Sequence, residues 1–244
     1  MSKPATLTPV IKREITSDWS ETFPSLGIYK PLWLLKRHGP LLMGVLLDRT
    51  RSNDIYIPKF HVHNLLSPSL SILLSLVFEV PDFRQKALPR KIKIAHHLEQ
   101  YGEAAETLRG LVPDLDADLL SWPRIVELHA EFIQQKRDFA VAKYCHAIFR
   151  DVILLASWCG KLEYAQECLD ASLSIMSAWT PPIDVVAWQD SIERQMHPES
   201  MRLTLAAELQ RHKLSHVPQF ELQETGDTKF ITDTYRCVWL LETR

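Results

Sequence analysis

His61 and His63 stand two residues apart in Ile55-Tyr-Ile-Pro-Lys-Phe-His-Val-His63. On a strand that spacing sets both imidazoles on one face, where they could offer two ligands to zinc. Spacing fixes no third ligand, and the pair suits better a half-exposed strand that turns polar side chains to water. His96 and His97 are neighbours on a predicted helix, where their rings point about 100° apart and cannot readily share an ion. Asp114-Leu-Asp116-Ala-Asp118 opens like a calcium loop, but Leu119 stands where position six needs glycine and Ile125 where position twelve needs a bidentate glutamate. The segment reads better as the entry to a helix, with Ser121 as cap and Pro123 in the first turn.

Gly39 to Gly44 has phosphate-loop glycine spacing, yet Val45 and Leu46 follow where a lysine and a hydroxyl would have to meet phosphate and magnesium. Phe23-Pro-Ser25-Leu-Gly27 half-matches a nucleophile elbow, with Phe23 in place of the glycine that the tight turn requires. Cys145, Cys159, Cys168 and Cys237 contain no C-x-x-C pair. Residues 145 and 159 fall on one predicted helix about 21 Å apart, too far for a disulfide, so packed free thiols are expected. No carboxylate pair, Cys/His dyad or general base emerges by spacing. The expectation is no catalytic residue, no cofactor-binding residue, no metal site and no enzyme activity.

The elements that position these residues follow from periodicity. The chain has 244 residues, ample for a hydrophobic core, and its 46% apolar and 24% charged content is ordinary for a soluble globular protein. Seven glycines, about 3% of the chain, disfavour Gly-fingerprint nucleotide folds and turn-dense β-sandwiches. Residues 1 to 20 mix Lys3, Lys12, Arg13, Glu14 and Asp18 without a long apolar run, so no secretory signal is read and a cytoplasmic location is expected. The stretch from Leu65 to Phe78 is broken by serines and Pro68 and is too short to span a membrane.

From Pro31 the pattern is strand-like through Arg37, Leu41 to Asp48 and Ile55 to Val62, two hairpins in a row, with Pro58 marking a bulge or edge. After Pro68 the period is helical to about Leu214, giving about six helices. The clearest is predicted over Pro89 to Arg109, with Ile94, Leu98, Tyr101, Ala105 and Leu108 as its apolar face. A central helix is predicted over Asp138 to Cys159, apolar except for a stripe of Lys143, His146, Arg150 and Ser157, turning at Gly160 into a partner over Lys161 to Trp179. Phe220 to Leu222 and Phe230 to Leu241 suggest a terminal hairpin. The expected fold is α+β and mainly α. A small N-terminal antiparallel β-meander packs on a bundle of about six helices, with a C-terminal β-hairpin as an option. The expected segments are 1–66 (tail and meander), 67–218 (helical body) and 219–244 (hairpin or tail), in one compact domain.

Charge is unevenly spread. Residues 1 to 97 hold 14 basic and 7 acidic side chains, whereas residues 98 to 193 hold 7 basic and 16 acidic ones, so a net of +7 faces a net of -9. In the predicted helix, Arg90, Lys91 and Lys93 lie at the positive end of the dipole and Glu99, Glu103 and Glu106 toward the negative end, both unfavourable. The three glutamates form a stripe opposite the apolar face, without a lysine four residues after Glu99 to relieve it. Local rules broken without gain mark a candidate functional surface, here Glu99, Glu103, Glu106, Asp114, Asp116 and Asp118. The basic run Arg84, Lys86, Arg90, Lys91 and Lys93 lies in no nucleic-acid motif, and pairing with the acidic half accounts for it more simply.

The short meander with Ile55 to His63, the helix ending Glu103-Ala-Ala-Glu-Thr-Leu-Arg109, the turn at Trp158-Cys-Gly-Lys-Leu-Glu163, and Leu209-Gln-Arg-His-Lys-Leu214 with Pro218 complete a layout. Over about two-thirds of the chain it resembles the cytosolic immunity proteins encoded beside bacterial polymorphic toxins, including those of type VI secretion and Rhs-type systems. The resemblance implies a non-enzymatic protein that binds a co-encoded toxin and occludes its active site. It carries no active-site residues across. An acidic surface would suit a basic, nuclease-type toxin. The alternative reading is a helical adaptor or chaperone for a peptide segment of a partner. Neither requires a cofactor, direct nucleic-acid contact or a membrane.

Overall fold

The computed structural model describes residues 6–72, 75–82, 88–135, 145–177 and 184–225. Phe83, Arg84 and Lys86, the start of the helix expected from Asp138, Cys237 and the second half of the expected terminal hairpin lie outside these.

The first element is a helix in the segment read as a tail. Thr8 caps α1 (Pro9–Thr22) by accepting from the Ile11 amide at 3.3 Å, and Pro9 takes the first turn. Ile15, Trp19 and Phe23 follow at intervals of four and are buried. The strands β1 (Gly27–Lys30), β2 (Trp33–His38), β3 (Leu41–Arg49) and β4 (Ile55–Asn64) follow. Leu32 turns the chain between β1 and β2 at φ 69°, a left-handed conformation unusual for leucine. Its amide donates to Thr16 Oγ1 at 2.8 Å and its carbonyl accepts from Leu47 at 2.9 Å, so α1 and β3 fix the turn from both sides. Gly39, at φ 54°, closes the β2–β3 hairpin. Gly44 has a different reason: a Cβ there would lie 2.0 Å from the Leu34 carbonyl oxygen.

The expected meander on a helical bundle is corrected. The chain is α/β, with seven α-helices among the described residues and a curled mixed sheet of eight strands. The sheet also takes in β5 (Leu76–Glu79), β6 (Ile92–Lys93), β7 (Leu119–Ser121) and β8 (Gln219–Gln223). The order is β5-β4-β3-β2-β8-β7, with β1 also paired to β2 and β6 to β4. The added strands run from two to five residues, too short to show a period of their own. Strand β8, legible as half of a hairpin that could add to the N-terminal sheet, does join that sheet, pairing in parallel with β2, Arg37 opposite Gln219 and His38 opposite Phe220. Pro58, which has no N–H, sits where β4 changes partner, between Ile55–Tyr56 on β6 and Lys59–Val62 on β5.

Two compact units divide the chain. The first comprises Met1–His63, Leu76–Leu119 and Leu214–Glu221. It holds α1, most of the sheet and α2 (His97–Leu111), around a core that includes Trp19, Phe23, Leu34, Met43, Tyr56 and Phe60.

The second unit comprises Asn64–Ser75, Leu120–Lys213 and Leu222–Arg244. It holds α3 (Trp122–Gln135), α4 (Cys145–Trp158), α5 (Leu162–Met176), α6 (Val185–Gln195) and α7 (Pro198–Arg211). Ser121 caps α3, accepting from the Arg124 amide at 3.4 Å. Gly160, at φ 68°, makes the tight turn between α4 and α5. Leu66, Leu154 and Met201 form a buried cluster against which Trp158, Met196 and Leu205 pack. No helix among the described residues is long and apolar enough to cross a membrane.

Candidate functional site

Helix α2 begins at His97, not Pro89; Pro89 lies in an isolated bridge to Pro81, and Ile92–Lys93 form β6. Arg90, Lys91 and Lys93 therefore precede the helix, Glu99 sits in its first turn and Arg109 in its last, and both follow the dipole. His97, Ala104, Ala105 and Leu108 are buried. Leu98, expected on the apolar face, is 79% exposed. With it Glu99, Gly102, Glu103 and Glu106 face outward.

The glutamate stripe was expected to be unrelieved, and here too the structure corrects the expectation. Glu99 lies 3.1 Å from His96 Nδ1 and Glu103 2.5 Å from Arg90, while Glu106 pairs with Arg109. The carboxylates remain on the outer surface, at 74%, 67% and 67% side-chain exposure. A Cβ at Gly102 or Gly110 would meet nothing within 4 Å, so packing demands neither glycine.

The turn after α2 presents the aspartates. A 3-10 turn spans Pro113–Leu115; Asp114 is buried, whereas Asp116 and Asp118 are exposed. Three distant side chains hold this segment. Ser25 Oγ donates to the Leu115 carbonyl at 2.6 Å, Lys36 Nζ to the Ala117 carbonyl at 2.5 Å, and Arg109 Nε to Asp116 at 2.5 Å. Arg109 also donates to the Thr22 carbonyl at 2.7 Å and lies over the Phe23 ring. Lys36 is fully buried, and loss of water lowers its amine to about 8 against the opposing attraction of Asp118, Asp116 and Asp114.

A second network anchors the inner face of α2. Trp19 Nε1–H donates to Tyr56 Oη at 3.2 Å, Tyr56 Oη lies 2.7 Å from His97 Nδ1, and His97 Nε2 lies 2.8 Å from Asp18 Oδ2. The order of carboxylate, imidazole and hydroxyl is that of a proton relay, but Tyr56 is fully buried and burial raises its ionisation well above the ordinary phenol. The chain of bonds ties α1, β4 and α2 together.

His61 and His63 were expected on a half-exposed face; instead β4 is buried from Phe60 to Asn64. Trp33 Nε1–H donates to His61 Nε2 at 2.6 Å, so the ring proton sits on Nδ1, which is buried without a hydrogen-bond partner. Burial, with His63 adding to it, pushes His61 down to about 3. Its one lone pair is engaged by the indole, which removes it as a ready metal ligand. No group of three or more His, Cys, Asp or Glu among the described residues could hold a metal ion.

The second unit uses its buried polar groups to fix a loop. Ser67 Oγ donates to Asp151 at 2.5 Å, and Asn64 Nδ2 to the Asp151 carbonyl at 3.3 Å. Glu208, 1% exposed, accepts from the Ser69 amide at 3.2 Å and lies 3.1 Å from His212 Nε2. Burial pushes the Cys159 and Cys168 thiols up to about 12, toward the protonated form.

Of the six acidic residues singled out from the sequence, five are exposed, and Arg109 joins Glu106 to Asp116. The groups sequence reasoning missed are Lys36, Asp18, Tyr56 and His97 in its relay role. The relay pairs are separated by 41 and 79 residues, so no local motif contains them. Lys36 did leave a signal, as the charge that follows Leu34 and Leu35 and, by strand alternation, shares their core-facing run. No family model, curated protein or solved structure matches the chain.

Proposed function

We propose that the chain is a binding protein of the immunity type, which neutralises a co-encoded toxin by covering its active site with the outer face of α2 and the turn that follows. The observation that carries this reading is the outer face itself. Glu99, Glu103 and Glu106 are exposed in a stripe to one side of Leu98, itself 79% exposed, while the buried side of the helix is tied down by His97. Such a face offers a partner an apolar group beside a charged rim. Gly102 leaves room on the same face for close approach of a partner backbone. The acidic rim favours a basic partner, and nuclease-type toxins fit that description.

The test is a complex with the neighbouring gene product. A stable 1:1 pair burying about 1,600 Å² is expected. Reversing Glu99, Glu103 and Glu106 to Lys should slow association by about tenfold at low salt while leaving the circular dichroism spectrum unchanged. Unchanged association kinetics in the triple variant would remove this face from the interface.

A further inference from the structure

Lys36 and His38 stand two residues apart on β2 and share one face of the sheet. Both are fully buried. Strand β3 sets Met43 and Leu41 opposite them, and β8 sets Phe220 beside His38. The Phe220 ring borders both side chains, its centre 5.4 Å from Lys36 Nζ and 5.6 Å from the centre of the His38 ring. The two polar groups have complementary capacity left over. His38 Nδ1 lies 2.9 Å from the Glu221 carbonyl, which can only accept, so the ring proton is on Nδ1 and Nε2 carries the lone pair. Burial lowers the basicity of this ring and keeps it neutral at pH 7. Among the described residues, Nε2 is buried without a hydrogen-bond partner. Lys36 has three N–H groups to give, and among the described residues the Ala117 carbonyl, at 2.5 Å, is the acceptor it reaches.

A buried lone pair and buried N–H groups thus stand on neighbouring side chains, and such groups are seldom left unmatched in folded chains. The surroundings select what matches them. A cation is repelled by the ammonium, and an anion would have to enter beside Asp114, Asp116 and Asp118, whose charges act on the same amine. An apolar group satisfies neither atom. What fits is a neutral group that accepts from Nζ and donates to Nε2 through one oxygen, and water is the smallest that does so. We propose that Lys36 and His38 together hold one internal water molecule, which accepts from the ammonium and donates to the imidazole. This water completes the anchorage by which Lys36 grips the Ala117 carbonyl, between Asp116 and Asp118.

Two measurements on the whole chain test this. A crystal structure should show one ordered water about 2.7–3.2 Å from both Lys36 Nζ and His38 Nε2. In solution, oxygen-17 relaxation dispersion counts long-lived internal waters. The count should fall by one in Lys36→Met, which keeps the apolar stem, and by one in His38→Phe, which keeps a ring beside Phe220. The double variant should lose that same single water. A loss of two in the double variant means that each side chain holds a water of its own and overturns the shared site. A direct Nζ–Nε2 hydrogen bond in the crystal overturns it as well, and so does a count that neither substitution changes. Should a variant fail to fold, the wild-type crystal structure decides. No partner enters these measurements, so their outcome is separate from that of the toxin complex.

Discussion

Tyr56→Phe removes one oxygen from the centre of the relay and leaves the ring in place. Two hydrogen bonds disappear, one from Trp19 at 3.2 Å and one with His97 at 2.7 Å. Each contributes about 1 kcal/mol net, and stranding a buried indole N–H and an imidazole nitrogen adds about 1–3 kcal/mol, so a loss of about 3–5 kcal/mol is expected. The aromatic contacts should survive, since Trp19 meets the Tyr56 ring edge-on at 6.5 Å and does not depend on the hydroxyl. Denaturant unfolding followed by near-ultraviolet circular dichroism measures the cost. His97→Phe, which can still stack on Tyr101 4.7 Å away, supplies a double-mutant cycle. The hydroxyl deletion should be at least about 1 kcal/mol less costly in that background. A cost below about 0.5 kcal/mol, or strict additivity, would refute the relay as the bond between α1, β4 and α2.

Asp151 carries a carboxyl raised by burial, with Ser67, Arg150 and His129 pulling it down. The native state then binds more protons than the unfolded one above the ordinary carboxylate range, so this group favours folding less as pH rises. Asp151→Asn keeps an acceptor for Ser67 and should match or exceed wild-type stability at pH 7, within about 1 kcal/mol, in denaturant titrations, with its stability relative to wild type falling as pH drops into the carboxylate range. Two glycines should behave oppositely in the same assay. Gly44→Ala drives a methyl onto the Leu34 carbonyl and should cost about 3 kcal/mol or more, whereas Gly102→Ala meets open space and should gain about 0.5–1 kcal/mol.

What was legible in the sequence was long and periodic. Strands β2 to β4, the Gly160 turn and the cap at Ser121 follow from patterns of six or more residues or from one unambiguous punctuation. The sheet was not legible, because half its strands are defined by their neighbours. Leu76–Glu79 has a buried-and-half-buried alternation only four residues long inside a serine-broken run. The misplaced start of α2 had a wider effect. Drawn from Pro89, the helix put three cations at its positive end and made Glu99 an error; begun at His97, the same residues obey the dipole. The suspicion that broken rules marked the acidic face therefore loses its first argument. The exposed carboxylates and Leu98 are what remain of it. His61 and His63 failed for a related reason: alternation says which residues share a face, but only the neighbouring strands say whether that face is wet.

The pairing of the acidic face changes what its charges can do. Arg90, 15% exposed, holds Glu103 at 2.5 Å, and Arg109 serves both Glu106 and Asp116. A carboxylate beside a guanidinium presents a dipole to an approaching partner, and its field falls off faster than that of an isolated charge. Steering by the -9 region should accordingly be weaker than the charge count implies, and a partner's cations must compete with Arg90 to reach Glu103. Arg90→Ala removes the competitor. Because the pair is largely exposed on the glutamate side, stability should drop by about 0.5 kcal/mol or less. Association with the neighbouring gene product should nevertheless speed up by about two- to fivefold at low salt, with a steeper salt dependence than wild type. Stopped-flow kinetics at two ionic strengths would measure it. If association slows instead, Arg90 is itself a contact, and the interface reads positive charge as well as negative.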